Sequence, residues 1–170
     1  MGPIPFIFFV TQMIQNTWIV TNTEDNTLFL LGQTKTEIIA SEGPRSMVWD
    51  PEKHLLYTTN SLANTVSIID LTTGSKIDSP QIFDDPRGLA LTSEGFSLYV
   101  VSKNTDEIIE VSTQNFEVLN RYKTGKSPRN IAIDPATDTF FVTNNGDDTV
   151  SILRSDDSHT IPVAKQPYGI

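Results

Sequence analysis

Cysteine is absent from the 170 residues, so the chain holds neither a disulfide framework nor a thiolate metal site. Histidine is almost absent. His54 and His159 are the only imidazoles, and nothing in their spacing suggests a shared metal or proton relay, so both are expected at turns or on the surface. Basic residues are few, 12 Lys and Arg against 21 Asp and Glu, giving a formal net charge of −9. Phosphate backbones require a basic face, and anionic membrane surfaces repel an acidic one. Neither nucleic acid nor a membrane is therefore an expected partner. Long apolar runs are missing too. Phe6-Ile7-Phe8-Phe9-Val10 is too short to span a bilayer, Pro3 and Pro5 interrupt its approach, and no Lys or Arg precedes Lys35. The run lacks the positive region of a secretory signal and reads as a buried strand, with a degenerate signal as the alternative. No window sustains helical periodicity over three turns.

What remains is a chain only 38% apolar and 19% charged, with Thr, Ser, Asn and Asp making up the difference. Such a mixture suits short strands joined by polar turns. The strands recur. Pro44, Pro86 and Pro128 are 42 residues apart, and each is followed by an arginine: Arg45, Arg87 and Arg129. Sixteen residues after each proline an apolar run ends, at Asn60, Ser102 and Asn144. A further run follows each time, as in Asn64-Thr65-Val66-Ser67-Ile68-Ile69 and Asp148-Thr149-Val150-Ser151-Ile152-Leu153. Upstream, Trp18-Ile19-Val20-Thr21-Asn22 and Asn26-Thr27-Leu28-Phe29-Leu30 give the same two runs, with residues 5–10 as the opening strand of that first unit. Downstream, Pro167-Tyr168-Gly169-Ile170 repeats the opening.

Each unit thus holds four short β-type runs; in the second they are expected near residues 46–49, 55–59, 65–70 and 76–83. Asp50-Pro51 and Asp134-Pro135 supply a first turn, Asn-rich stretches a second, and Thr72-Thr73-Gly74 a third. A four-stranded antiparallel sheet has two faces to cover, and stacking such sheets radially covers both. The spacing predicts an all-β protein, a β-propeller of four visible four-stranded antiparallel blades. The expected division is one propeller domain over 1–170: blade 1 at 1–42, blade 2 at 43–84, blade 3 at 85–126, blade 4 at 127–165, and 166–170 as the first strand of a further blade or a closing strand. A β-sandwich would not need such regular Pro-Arg and Asn spacing.

Tyr57-Thr58-Thr59-Asn60, Phe141-Val142-Thr143-Asn144 and Ile19-Val20-Thr21-Asn22 resemble the Tyr-Val-Thr-Asn motif of the YVTN family of β-propeller repeats, found in surface-layer and extracytoplasmic proteins. Tyr99-Val100-Val101-Ser102 departs from it, with Ser in place of Asn. Ile69-Asp70-Leu71 is similar to the end of a WD40 repeat, although the Gly-His pair of that family is missing. The YVTN resemblance implies an extracytoplasmic setting, in the periplasm or at the cell surface. It also implies rings larger than four blades, often seven, so the expectation is an incomplete ring or a fragment, with blade faces open to self-association.

Catalytic motifs are not evident: there is no Gly-rich phosphate loop, His-Glu-x-x-His or Gly-x-Ser-x-Gly. The acidic pairs Asp84-Asp85, Asp147-Asp148 and Asp156-Asp157 lack the spacing of a calcium loop and read as solvated turns. Tyr57, Tyr99 and Phe141 share a strand position and read as packing between blades. No catalytic residue, metal or cofactor is assigned. The ligand candidates are Arg45, Arg87 and Arg129, at one position of successive units. They could form a cationic rim for a carboxylate or phosphate, or pair with neighbours such as Asp50, Asp85 or Asp134 and staple blades together. The expected function is a non-catalytic binding module for a protein or small anionic ligand. The alternatives are a piece of a propeller enzyme (lactonase-like, lyase-like or haem d1-type) and a structural surface-layer repeat.

Overall fold

The computed structural model describes residues 7–8, 13–14, 17–31, 35–154 and 157–170, and the structural statements below concern these. They form four antiparallel sheets. The first contains β1 (Ile7–Phe8), β2 (Met13–Ile14), β3 (Thr17–Asn22), β4 (Thr27–Leu31) and β5 (Lys35–Ile39). The second contains β6 (Pro44–Asp50), β7 (Leu55–Asn60), β8 (Thr65–Asp70) and β9 (Lys76–Asp78). The third contains β10 (Pro86–Leu91), β11 (Ser97–Ser102), β12 (Glu107–Ser112) and β13 (Val118–Lys123). The fourth contains β14 (Pro128–Asp134), β15 (Thr139–Asn144), β16 (Thr149–Leu153) and β17 (Ser158–Pro162). Strands follow one another in chain order across the second, third and fourth sheets. Repeated four-stranded meanders of this kind are the blades of a partial β-propeller. Among the described residues no helix is long and apolar enough to cross a membrane.

The first sheet opens with two short strands rather than one. β1 pairs Ile7 with Asn22 and β2 pairs Met13 with Trp18, both on the edge of β3 opposite β4. Residues 5, 6, 9 and 10 of the expected opening strand lie outside the described residues. In the second sheet the fourth strand ends at Asp78 rather than running to residue 83. The Ser79 hydroxyl receives the Val66 N–H there, and Pro80 follows with no N–H to continue a ladder.

The chain divides into two compact units, Met1–Ile82 and Phe83–Ile170. In the first, Ile19, Leu28, Ala40, Met47, Leu56 and Ile69 form a buried cluster joining its two sheets. In the second, Tyr99, Val101 and Ile108 of the third sheet pack on Ile131, Phe140, Val142 and Leu153 of the fourth. Each Val, Leu, Ile, Met or Phe among them contributes about 1.5–3 kcal/mol when fully buried.

A polar lock accompanies each apolar layer. Asn60, fully buried, donates through Nδ2 to the hydroxyls of Thr65 (3.1 Å) and Ser67 (2.8 Å) on the neighbouring strand. Asn144 does the same to Thr149 (2.9 Å) and Ser151 (2.8 Å). In the third sheet the Asn position is Ser102, and the two partner positions are Glu107 and Ile109. All three members change together. Ser102 instead accepts the Asp84 N–H at 2.9 Å, and Glu107 turns to Arg121 at 2.6 Å.

Candidate functional site

The recurrent proline opens the first strand of the second, third and fourth sheets, and is buried each time. Directly after it the register slips by one residue. Pro44 faces Asn60 but Met47 faces Thr58, so Arg45 and Ser46 together oppose Thr59. The same slip follows Pro86 and Pro128. Each candidate arginine therefore lies on a β-bulge, a device that re-aims a side chain out of the regular pleat. Thr59 and Thr143 support the bulge by accepting the N–H of Ser46 (3.0 Å) and Asn130 (3.1 Å) through their hydroxyls. In the third sheet Val101 holds that position and offers no such acceptor.

The arginines share a position and differ in partners. Arg45, half-buried, donates from Nε to the Ser61 hydroxyl at 3.0 Å. Arg87 pairs with Asp85 at 2.6 Å, and Lys103 meets the same Asp85 oxygen at 2.9 Å. Burial alone would push the Asp85 carboxyl up, but the hydrogen bonds from Arg87 and Lys103 outweigh it and hold the group below its ordinary value. Arg129 lies with its Cζ 5.1 Å from the centroid of the Tyr168 ring, a cation–π arrangement, and its Nε is buried without a hydrogen-bond partner among the described residues. Of the suggested acidic partners, Asp85 is paired with its arginine, whereas Asp50 takes Lys53 at 3.3 Å and Asp134 caps its own turn through Thr137 at 2.7 Å.

Within the second unit the structure brings two of these positions together. A Cβ on Gly88, the residue after Arg87, would come within 2.8 Å of the Asn130 Cα and 3.0 Å of the Arg129 carbonyl oxygen. The two bulges thus touch backbone to backbone. Arg45 belongs to the first unit and keeps its own surroundings.

Sequence reasoning did not identify Tyr168 as a site residue, although Pro167-Tyr168 repeats the Pro-Arg opening. The structure seats it accordingly. Thr21 donates to the Arg45 carbonyl (3.3 Å) and Thr23 to the Pro44 carbonyl (2.7 Å); Thr143 donates to the Tyr168 carbonyl (3.3 Å) and Asn145 to the Pro167 carbonyl (3.5 Å). Tyr168 fills the slot that arginine fills in the other units.

The remaining candidates occupy turns. Asp84 accepts from Asn104 at 2.9 Å, Asp147 from Thr149 at 2.7 Å, and Asp148 from the Gln166 N–H at 2.8 Å; Asp156 lies outside the described residues. His54 adopts a left-handed turn conformation beside Trp49, and His159 is exposed on β17 beside Asp157 at 3.4 Å. Among the described residues no group of three or more His, Asp or Glu side chains could hold a metal ion.

Residues 16–162 match the profile of the family described as lactonase, 7-bladed beta-propeller. No curated protein matches the chain. Among solved structures, the virginiamycin B lyase of Staphylococcus aureus in selenomethionine form superposes with a TM-score of 0.82 at 17% identity, over 99% of this chain and 60% of its own. A streptogramin B lyase gives 0.80 at 15% identity, over 92% and 54%. Hydrazine synthase of Kuenenia stuttgartiensis gives 0.77 at 20% identity, over 93% and 49%. At these identities the likeness is one of fold. The chain spans roughly half the length of the structures it matches.

Proposed function

The chain belongs to the seven-bladed lactonase β-propeller family, and from that premise we propose that it is a binding segment of such a propeller, of the YVTN type, holding a small anionic ligand at the Pro-Arg bulges. The observation that carries this reading is the state of the two bulges in the second unit. They lie against each other, one carries two cations on a single carboxylate, and the other carries Arg129 on an aromatic ring instead of an acid. A carboxylate or phosphate arriving there meets planar guanidinium groups suited to hold it by paired hydrogen bonds. Arg45 extends the same chemistry to the first unit. The proposal takes each sheet with its turns as one blade of a single propeller domain, divided as the repeat spacing suggests. The YVTN resemblance supports an extracytoplasmic setting, and self-association through blade faces belongs to the same proposal.

Titration with inorganic phosphate and with citrate tests the reading. The wild-type chain should bind at least one of them, and the variant R45A/R87A/R129A should lose at least tenfold in affinity while its melting temperature changes little. Unchanged binding, or a collapse in melting temperature with binding per folded molecule intact, assigns the arginines to stapling.

A second reading is favoured by the family itself: a segment of a propeller enzyme that opens a lactone or a related ring. The S. aureus and streptogramin neighbours carry lyase names, which supports an enzymatic setting for this scaffold. Acid release from a simple lactone by the chain, followed at constant pH, would support it.

A further inference from the structure

The second unit contains a cleft of about 600 Å3 at the ends of β10 and β14 away from their Pro-Arg starts. We propose that this cleft is a second ligand site, selective for a small organic monocarboxylate bearing an aromatic ring or apolar chain. Its volume falls in the range of ligand-sized sites, about 300–1,000 Å3.

The cleft wall is a cluster of three rings. Tyr99 and Phe140 lie 4.4 Å apart between centroids, and Tyr122 is 6.0 Å from Phe140. Tyr122 is fixed by its hydroxyl, which donates to Glu110 at 3.0 Å and accepts from Asn120 at 3.1 Å. The ring cluster is therefore rigid before any ligand arrives, which lowers the ordering cost of binding.

The cation of the cleft is Arg154, which the sequence did not single out. Its Nε donates at 2.9 Å to the hydroxyl of fully buried Thr139, and Thr137 and Thr139 share a second contact at 2.8 Å. The guanidinium is thus oriented by a neutral group. Among the described residues no carboxylate lies within ion-pair distance of it and only Asp134 is seen to act on it, at longer range, whereas Arg87, Lys103, Arg121, Lys123 and Lys126 of the same unit all contact Asp85, Glu107 or Asp106. In so acidic a chain, an anchored arginine beside a wall of largely buried rings is suited to a carboxylate, which it can take by two parallel hydrogen bonds. Glu94 and Asp138 also line the cleft, on exposed turns. They repel a second negative charge and disfavour phosphate or dicarboxylates.

Calorimetry on the full chain with 3-phenylpropanoate, 3-phenylpropylamine and inorganic phosphate tests this. The propanoate is expected to bind at millimolar concentration or below, the amine at least tenfold more weakly, and phosphate at least tenfold more weakly once the bulge arginines are removed in R45A/R87A/R129A. Arg154→Ala should reduce propanoate affinity at least tenfold. Arg154→Gln, which keeps a donor for Thr139, should lose as much affinity while retaining the wild-type melting temperature. The proposal is overturned if the amine binds as well as the acid, if either variant keeps wild-type affinity, or if the propanoate does not bind at millimolar concentration. Loss of phosphate binding in R45A/R87A/R129A with propanoate binding intact would separate this cleft from the bulges.

Discussion

At the scale of single residues, the positions that recur in the sequence carry different partners in space. Asp85 is the clearest case, because one carboxylate answers both Arg87 and Lys103. Its pKa is lowered in the folded chain, so its contribution to stability is fully present above its ordinary value near 4 and is lost as pH falls through the lower, folded value. Asp85→Asn should cost about 1–3 kcal/mol at neutral pH, as for a buried charge-assisted hydrogen bond. Urea midpoints at pH 7 and pH 3 would read this, with the gap between variant and wild type narrowing at the lower pH. A gap of equal size at both would show that the ion pair is not the source. The pairing was only partly legible in the sequence. Asp85 was one of three acids suggested, and a two-residue separation along an irregular strand does not reveal which side chains meet. Tyr168 and Arg154 were missed for related reasons. Tyr168 differs in chemistry from the arginines whose slot it fills, and Arg154 is tied to its cleft through residues scattered from Leu91 to Phe140.

Among elements, the four-strand runs, their order and the Asn-ended second strand could all be read from spacing, because side-chain alternation and turn residues are local signals. The bulge could not. One extra residue in a strand leaves the sequence pattern almost unchanged and is visible only when two strands are paired. Gly88 shows what the bulge demands of its neighbour. With the Asn130 Cα and the Arg129 carbonyl in the way of any Cβ, Gly88→Ala must push one backbone off another. The expected loss is about 1–3 kcal/mol, typical of overpacking, measured as a lower urea midpoint with an unchanged slope. Ser46 at the same position of the second sheet carries a side chain without penalty, so Ser46→Ala is the natural control and should shift the midpoint much less. The coordinated change of Asn, Thr and Ser to Ser102, Glu107 and Ile109 was present in the sequence. It becomes intelligible only once the buried amide is seen to join the two hydroxyls.

For the molecule as a whole, stability is layered along each sheet. β7, β11 and β15 are almost wholly buried, while β9, β13 and β17 are mostly or entirely exposed. Amide exchange should follow that order in the second, third and fourth sheets, fastest in β9, β13 and β17 and slowest in β7, β11 and β15. Uniform protection across a sheet would contradict a core drawn from its earlier strands. Where one repeat receives the next, the receiving groups are Thr21 and Thr23, or Thr143 and Asn145, and what they grip is main-chain carbonyl oxygen. A clasp of that kind is indifferent to the side chain it holds, so arginine and tyrosine are equally acceptable guests. Selection can then rewrite the chemistry of each repeat without loosening its attachment, and whole repeats can be gained, lost or exchanged by recombination with the connection between them preserved.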